Sequence, residues 1–220
     1  MDFAKAFGFV FEDSDWLQKI IIGGLVSLIP IIGQFLVLGY MLQIGRNVIR
    51  GNPRPMPDWS DFGQLLVDGF YVFVIGLVYA LPIIIVMCIV LLPGLAIGGA
   101  FSDSGELGGI GVLAICCFTL FAVIYGIAVG WLFFPVALAR YADTGDMMSA
   151  LRFGEVLAVS RANPVVFLIA LLITWAAGFI AGFGVIACVI GVWFTQFYAQ
   201  CVTGHAYGQA YLVATERQKP

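Results

Sequence analysis

From residue 69 to residue 92 the chain carries no charged side chain, and the same is true from 111 to 139 and from 165 to 187. Each run reaches the ~20 residues with which an α-helix crosses the hydrocarbon core of a bilayer. No water is present there to satisfy backbone N–H and C=O groups, so each segment must hydrogen-bond within itself, as a helix does. A soluble globule could not be covered by what remains, because 10% of the residues are charged where about a quarter is usual. The runs therefore predict an all-α, polytopic transmembrane helix bundle.

Residues 51–63 break this pattern. Pro53, Pro55 and Pro57 alternate over five positions, which no helix interior tolerates. Pro57 and Asp58, with Asp61 three residues on, then read as a helix start. The spacing predicts a short amphipathic helix in the membrane interface, with Trp59, Phe62, Leu65, Leu66 and Phe70 on the apolar face and Ser60, Asp61, Gln64 and Asp68 on the wet one. Arg46, Arg50 and Arg54 precede it, and juxtamembrane cations contribute ~1 kcal/mol each against an anionic leaflet. Trp59, Phe62, Arg46, Arg50 and Arg54 are thus candidate interface anchors.

In chain order, residues 1–50 hold an aromatic interfacial segment (3–11) and a first hairpin, 16–29 and 34–50, reversing at Pro30, Ile31, Ile32 and Gly33. Its first arm is short, and Lys19 is expected to snorkel to the cytoplasmic face. The acidic start, with Asp2, Glu12, Asp13 and Asp15 and one early lysine, is not that of a cleavable signal. After the elbow (51–68), a second hairpin occupies 69–140, its first helix stopped by Pro93 and Gly94 and its turn carrying Asp103 and Glu106. A link, 141–163, with a helix candidate at 149–161, leads to the third hairpin, 164–213, and a tail, 214–220. The reading is one integral membrane domain, 1–220, of about six helices as three hairpins with short interfacial amphipathic helices. Phe7-Gly8, Phe62-Gly63 and Phe153-Gly154 each precede a hairpin, as in a threefold repeat. A four-helix version with the first and last hairpins re-entrant stays open.

The cations give a sidedness. Lys5, Lys19, Arg46, Arg50, Arg54, Arg140, Arg152, Arg161, Arg217 and Lys219 are all the lysines and arginines, and in the three-hairpin reading all lie on one side. Cationic loops stay in the cytoplasm, which predicts that both termini and the elbow are inside.

The elbow, preceded by Gly39, Tyr40 and Arg46, resembles the bacterial and archaeal membrane family called domain of unknown function 4013, and residues 197–211 are similar to that family's last helix. The resemblance implies a multi-pass protein of a prokaryotic cytoplasmic (inner) membrane. It brings no activity with it.

Little in the chain carries chemistry. A net charge of −3 offers no basic stripe for nucleic acid. Five cysteines are scattered through apolar runs without zinc-type spacing. His205 is the single histidine; with Cys201 one turn earlier it makes at most two ligands, and an interhelical hydrogen bond is the simpler role. Gln196 and Gln200 share a stripe with Thr203 and Tyr207, and Gln34 lies on the second helix; they bond helix to helix or line a water-filled path. Ser27 lacks a nearby base, so nucleophilic catalysis has no support. The expectation is a non-enzymatic structural or accessory component without cofactor or metal, partnered by the lipid bilayer and by a membrane protein or a second copy. The alternative is a transporter or channel for a small or amphipathic solute.

Overall fold

A computed structural model of the chain describes residues 3–100 and 105–216, and every regular element among them is helical. In order, α1 (Phe3–Gly8) runs through a 3₁₀ turn (Phe9–Glu12) to α2 (Trp16–Ser27) and α3 (Ile32–Ile49). After the elbow, α4 (Phe62–Val86) passes through a π-turn (Met87–Leu91) into α5 (Leu92–Ala100). Then α6 (Gly105–Ala128) passes through a second π-turn (Val129–Phe133) into α7 (Phe134–Thr144). Two short helices, α8 (Met147–Leu151) and α9 (Phe153–Ala162), precede α10 (Pro164–Gly182), a 3₁₀ turn (Phe183–Ala187) and α11 (Cys188–Glu216).

Three helical stretches among the described residues are long and apolar enough to cross a membrane: Phe62–Ile97, Gly111–Thr144 and Pro164–Ile186. By length and composition they fit a helical membrane protein. Two expected boundaries move. Pro93 and Gly94 do not stop the helix, which continues to Ala100. Both π-turns end two residues before a proline, Pro93 or Pro135, and the wider turn accommodates the carbonyl that the proline cannot bond. The elbow does not form a helix of its own. Asp61 is the cap, its Oδ1 accepting from the Gln64 N–H at 3.0 Å, so the helix starts at Phe62 and runs without a break into the long span. Asp103 and the tail cations Arg217 and Lys219 lie outside the described residues.

The chain divides into two compact units, Met1–Ile75 with Trp131–Pro220, and Gly76–Gly130. In the smaller unit, the Tyr125 hydroxyl donates to the Tyr79 carbonyl at 2.6 Å, and most apolar side chains face outward. The larger unit holds the core, built on Tyr40, Ile44, Leu65, Phe197 and Cys201. Glycines set how closely its helices meet. A Cβ on Gly39 would overlap the Leu65 carbonyl, one on Gly69 the Phe35 carbonyl, and one on Gly204 the Met41 carbonyl. Backbone contact of this kind supplies the packing that associates helices where lipid tails are as apolar as leucine. Gly204 and Gly208, spaced by four, are therefore used inside the chain against α3.

The first reversal is tight. Ile31 takes a positive φ of 64° so that the Ile32 N–H reaches back to the Pro30 carbonyl at 2.7 Å. A β-branched residue is strained in that conformation.

Candidate functional site

The elbow is fastened down on α2 and α3. Proline has no N–H but keeps its carbonyl, and three consecutive elbow carbonyls each accept from a side chain of these two helices. Asn47 Nδ2 donates to Pro55 at 2.9 Å, Lys19 Nζ to Met56 at 3.2 Å and the Tyr40 hydroxyl to Pro57 at 2.8 Å. Trp59 returns the interaction, its Nε1 donating to the Lys19 carbonyl at 3.1 Å. The Trp59 indole stacks on the Tyr40 ring at 4.6 Å and 20° and also meets Phe197.

Lys19 is the hub of this arrangement. Its ammonium pairs with Asp13 at 2.9 Å and Asp58 at 3.0 Å and is buried. The expected snorkelling does not occur, because two carboxylates and a carbonyl meet the charge inside the fold. Burial by itself raises the Asp13 pKa, but the hydrogen bonds from Lys19 and from the Asp15 N–H outweigh it and hold the carboxyl below its ordinary range. Of the candidate anchors, Trp59 is half-buried and turned inward, Phe62 is exposed, and Arg50 and Arg54 are exposed.

Arg46 faces the interior. Its Nη1 reaches Asp68 Oδ2 at 2.9 Å and its Nη2 reaches Oδ1 at 3.3 Å, a two-point ion pair between α3 and α4. Gln43, Gln64 and Tyr141 also donate to the same carboxylate, at 3.3, 3.1 and 3.2 Å. Arg46 Nε extends the network to the Ala142 carbonyl on α7 at 3.2 Å. The sequence placed Asp68 on a wet face, and the structure buries it at 1% exposure. The inward stripe of α4 is Leu65, Asp68, Val72, Ile75 and Tyr79, while Phe62, Leu66, Val67 and Phe70 point out. A membrane helix turns apolar side chains to lipid and polar ones to its neighbours, so Asp68 faces the bundle and not the wet side that the interfacial reading gave it.

The four intramembrane polar candidates separate. Gln34 is exposed, and its Nε2 donates to the Ser27 carbonyl at 3.2 Å, closing the hairpin turn. His205 is buried, its ring stacked on Phe9 at 4.2 Å and 13°. It lines a cavity of about 260 Å³ with Lys5, Glu12, Asn52 and Gln209. Gln196 and Gln200 line a different cavity, of about 270 Å³, between α3, α7, α10 and α11. Among the described residues no three His, Cys, Asp or Glu side chains gather closely enough to hold a metal ion.

The profile of the family described as "Protein of unknown function (DUF4013)" matches residues 22–190. The chain belongs to this family. No curated protein and no solved structure matches it. The family match takes in the elbow and the ion pair Arg46–Asp68 together with Tyr141. It ends before the 197–211 block, and Asp13, Lys19, Gln196, Gln200 and His205 also lie outside it.

Sequence reasoning missed Asp13, Tyr40, Asn47 and Tyr141 as fastening groups. A usable signal existed at Asp68, which sits three residues after Leu65 and four before Val72, on the face that spacing assigns to a helix neighbour.

Proposed function

We propose that this family member is a non-enzymatic structural or accessory component of a prokaryotic cytoplasmic membrane, multi-pass, with about six helices as three hairpins and both termini inside. The observation that carries the reading is where the polar groups are used. Lys19, Asp13 and Asp58 close on one another, as do Arg46 and Asp68, whereas the outward faces of the long helices present side chains such as Trp175, Phe179, Leu120 and Ile124. Such a molecule holds a rigid elbow and offers apolar surfaces to lipid, to a membrane-protein partner or to a second copy. The one-sided cations support the orientation, and the low net charge supports the absence of a nucleic-acid partner.

Two measurements test this. A fluorescent protein fused after Pro220 matures in the cytoplasm, and a periplasmic reporter inserted at Ser104 is active; activity of that reporter at Arg54 would sink the topology. Photocrosslinking in cells from Phe179→p-benzoylphenylalanine gives one discrete protein adduct, a partner or a second copy, or lipid alone. If lipid is the sole adduct and the pure reconstituted chain carries a solute across the bilayer, the accessory reading fails. The transporter reading stands second because Gln196 and Gln200 share a cavity. Gln34, the third amide such a path would need, is engaged elsewhere.

A further inference from the structure

We propose that the cavity between α3, α7, α10 and α11 binds the hydroxyl-bearing end of a neutral lipid, and that the amides of Gln196 and Gln200 hold it. The inference does not depend on the accessory reading, since a structural protein and a carrier could each hold such a lipid.

The contrast with three other glutamines is the starting point. Gln34, Gln43 and Gln64 each donate to a named partner within 3.3 Å. Gln196 and Gln200 have no hydrogen-bond partner among the described residues. An amide in apolar surroundings is costly to leave unbonded, so helix glue does not account for this pair. The depth of the cavity sharpens the point. Thr174 and Gly178 line it from the middle of Pro164–Ile186, the shortest of the three candidate spans, so the amides face a region where water is scarce.

The lining specifies the ligand. No charged side chain contributes to it, so an ionic headgroup would be desolvated with nothing to pair it. The hydroxyls of Thr174 and Thr203 already donate to the carbonyls of Ala170 and Ala199, at 3.0 and 2.9 Å; Thr174 is further engaged by the Tyr207 hydroxyl, and Thr203 presents only acceptor lone pairs. The two amides offer both donors and acceptors. A group that donates and accepts at one atom, a hydroxyl, satisfies this set, and a neighbouring ester carbonyl can take a further amide N–H. Leu38, Met41 and Phe134 supply the apolar wall. A volume of about 270 Å³ accommodates a glycerol-sized head and a few methylenes, with the acyl chains left in the bilayer. Gln196 is exposed and so stands at the mouth.

The test uses the purified full chain in nanodiscs of phosphatidylglycerol and phosphatidylethanolamine, with a diazirine-bearing diacylglycerol as probe. Saturable labelling of the cavity lining is expected, mapped to Met41 or Phe134, with no saturable labelling from a diazirine-bearing phosphatidylcholine. Gln196→Leu with Gln200→Leu should weaken half-saturation by about tenfold or more while the melting temperature stays level or rises. Gly178→Leu is the second variant. A Cβ at Gly178 meets nothing within 4 Å, so the new side chain fills the cavity without disturbing the amides, and it should block labelling in a folded protein. Labelling that is unsaturable, unchanged in either variant, or matched by the phosphatidylcholine probe would overturn the proposal. A fall of several degrees in the double leucine variant would do so as well, since it would make the amides structural.

Discussion

Replacing Arg46 by Met and Asp68 by Leu, singly and together, measures what the buried ion pair contributes. The Asp68 side chain is 2% exposed and that of Arg46 15%, so neither charge keeps its hydration. Removing one partner from such a pair costs about 3–5 kcal/mol, whereas replacing both with apolar residues of similar volume is often close to neutral. The two singles should not be equal. In Arg46→Met the carboxylate still accepts from Gln43, Gln64 and Tyr141. In Asp68→Leu the guanidinium keeps only the Ala142 carbonyl from its present set, and those three donors lose their acceptor as well. Asp68→Leu is therefore the more damaging. At roughly 2–4 °C per kcal/mol for a chain of this size, the singles fall by roughly 6–20 °C, read by circular dichroism melts in a fixed detergent, and the double recovers most of the loss. A double variant no more stable than the worse single, or a coupling energy below about 0.5 kcal/mol, would refute the view that the pair is internal and desolvated.

Three further outcomes follow from the same geometry. Because the folded pKa of Asp13 lies below its unfolded value near 3.9, its stabilisation is full above that value and is lost as pH falls through the folded one; Asp13→Asn should flatten this acid limb of melting temperature against pH. Tyr40→Phe keeps the stack on Trp59 but gives up the bond to the Pro57 carbonyl and should cost about 1 kcal/mol, whereas Trp59→Ala should cost about 3 kcal/mol or more, both by thermal melts. Gly39→Leu must push α4 away from α3 and should abolish recovery of folded, monodisperse protein on size exclusion, while Gly126→Leu, where a Cβ meets nothing within 4 Å, should leave it unchanged.

The helical membrane class was legible because charge-free runs of span length have few other solutions. The reversal at Pro30–Gly33 was legible too, since proline and glycine punctuate an otherwise uniform run. The helix ends at Pro93 and Asp58 were not. A proline inside a membrane helix need not end it, because a π-turn can rearrange the neighbouring carbonyls, and nothing in the one-letter pattern announces that choice. Asp58 has the composition of a cap, but the long-range charge of Lys19 claims it, and Asp61 takes the role instead. Lys19 and Asp13 are six residues apart, but the Met56 carbonyl that meets the same ammonium comes from the elbow, 37 residues on. Such contacts are properties of the tertiary fold that local spacing does not encode.

The face of α4 teaches the more general point. Its first turns contain both Phe62 and Asp68, and in water the phenylalanine would go in and the aspartate out. The structure does the opposite, because lipid solvates the ring and Arg46 solvates the carboxylate. Once polar groups inside a bundle are expected to be matched, the informative residues are those that are not. Gln43, Gln64, Tyr40, Asn47 and Tyr141 are each accounted for by a donor–acceptor distance. Gln196 and Gln200 are not, although they lie in the same unit and belong to the same side-chain class. Buried Asn163 Nδ2 and Gln209 Oε1 also lack a partner, but Gln196 and Gln200 differ from them in lining one cavity together. The separation of matched from unmatched groups, invisible in composition, divides what holds this bundle together from what it holds.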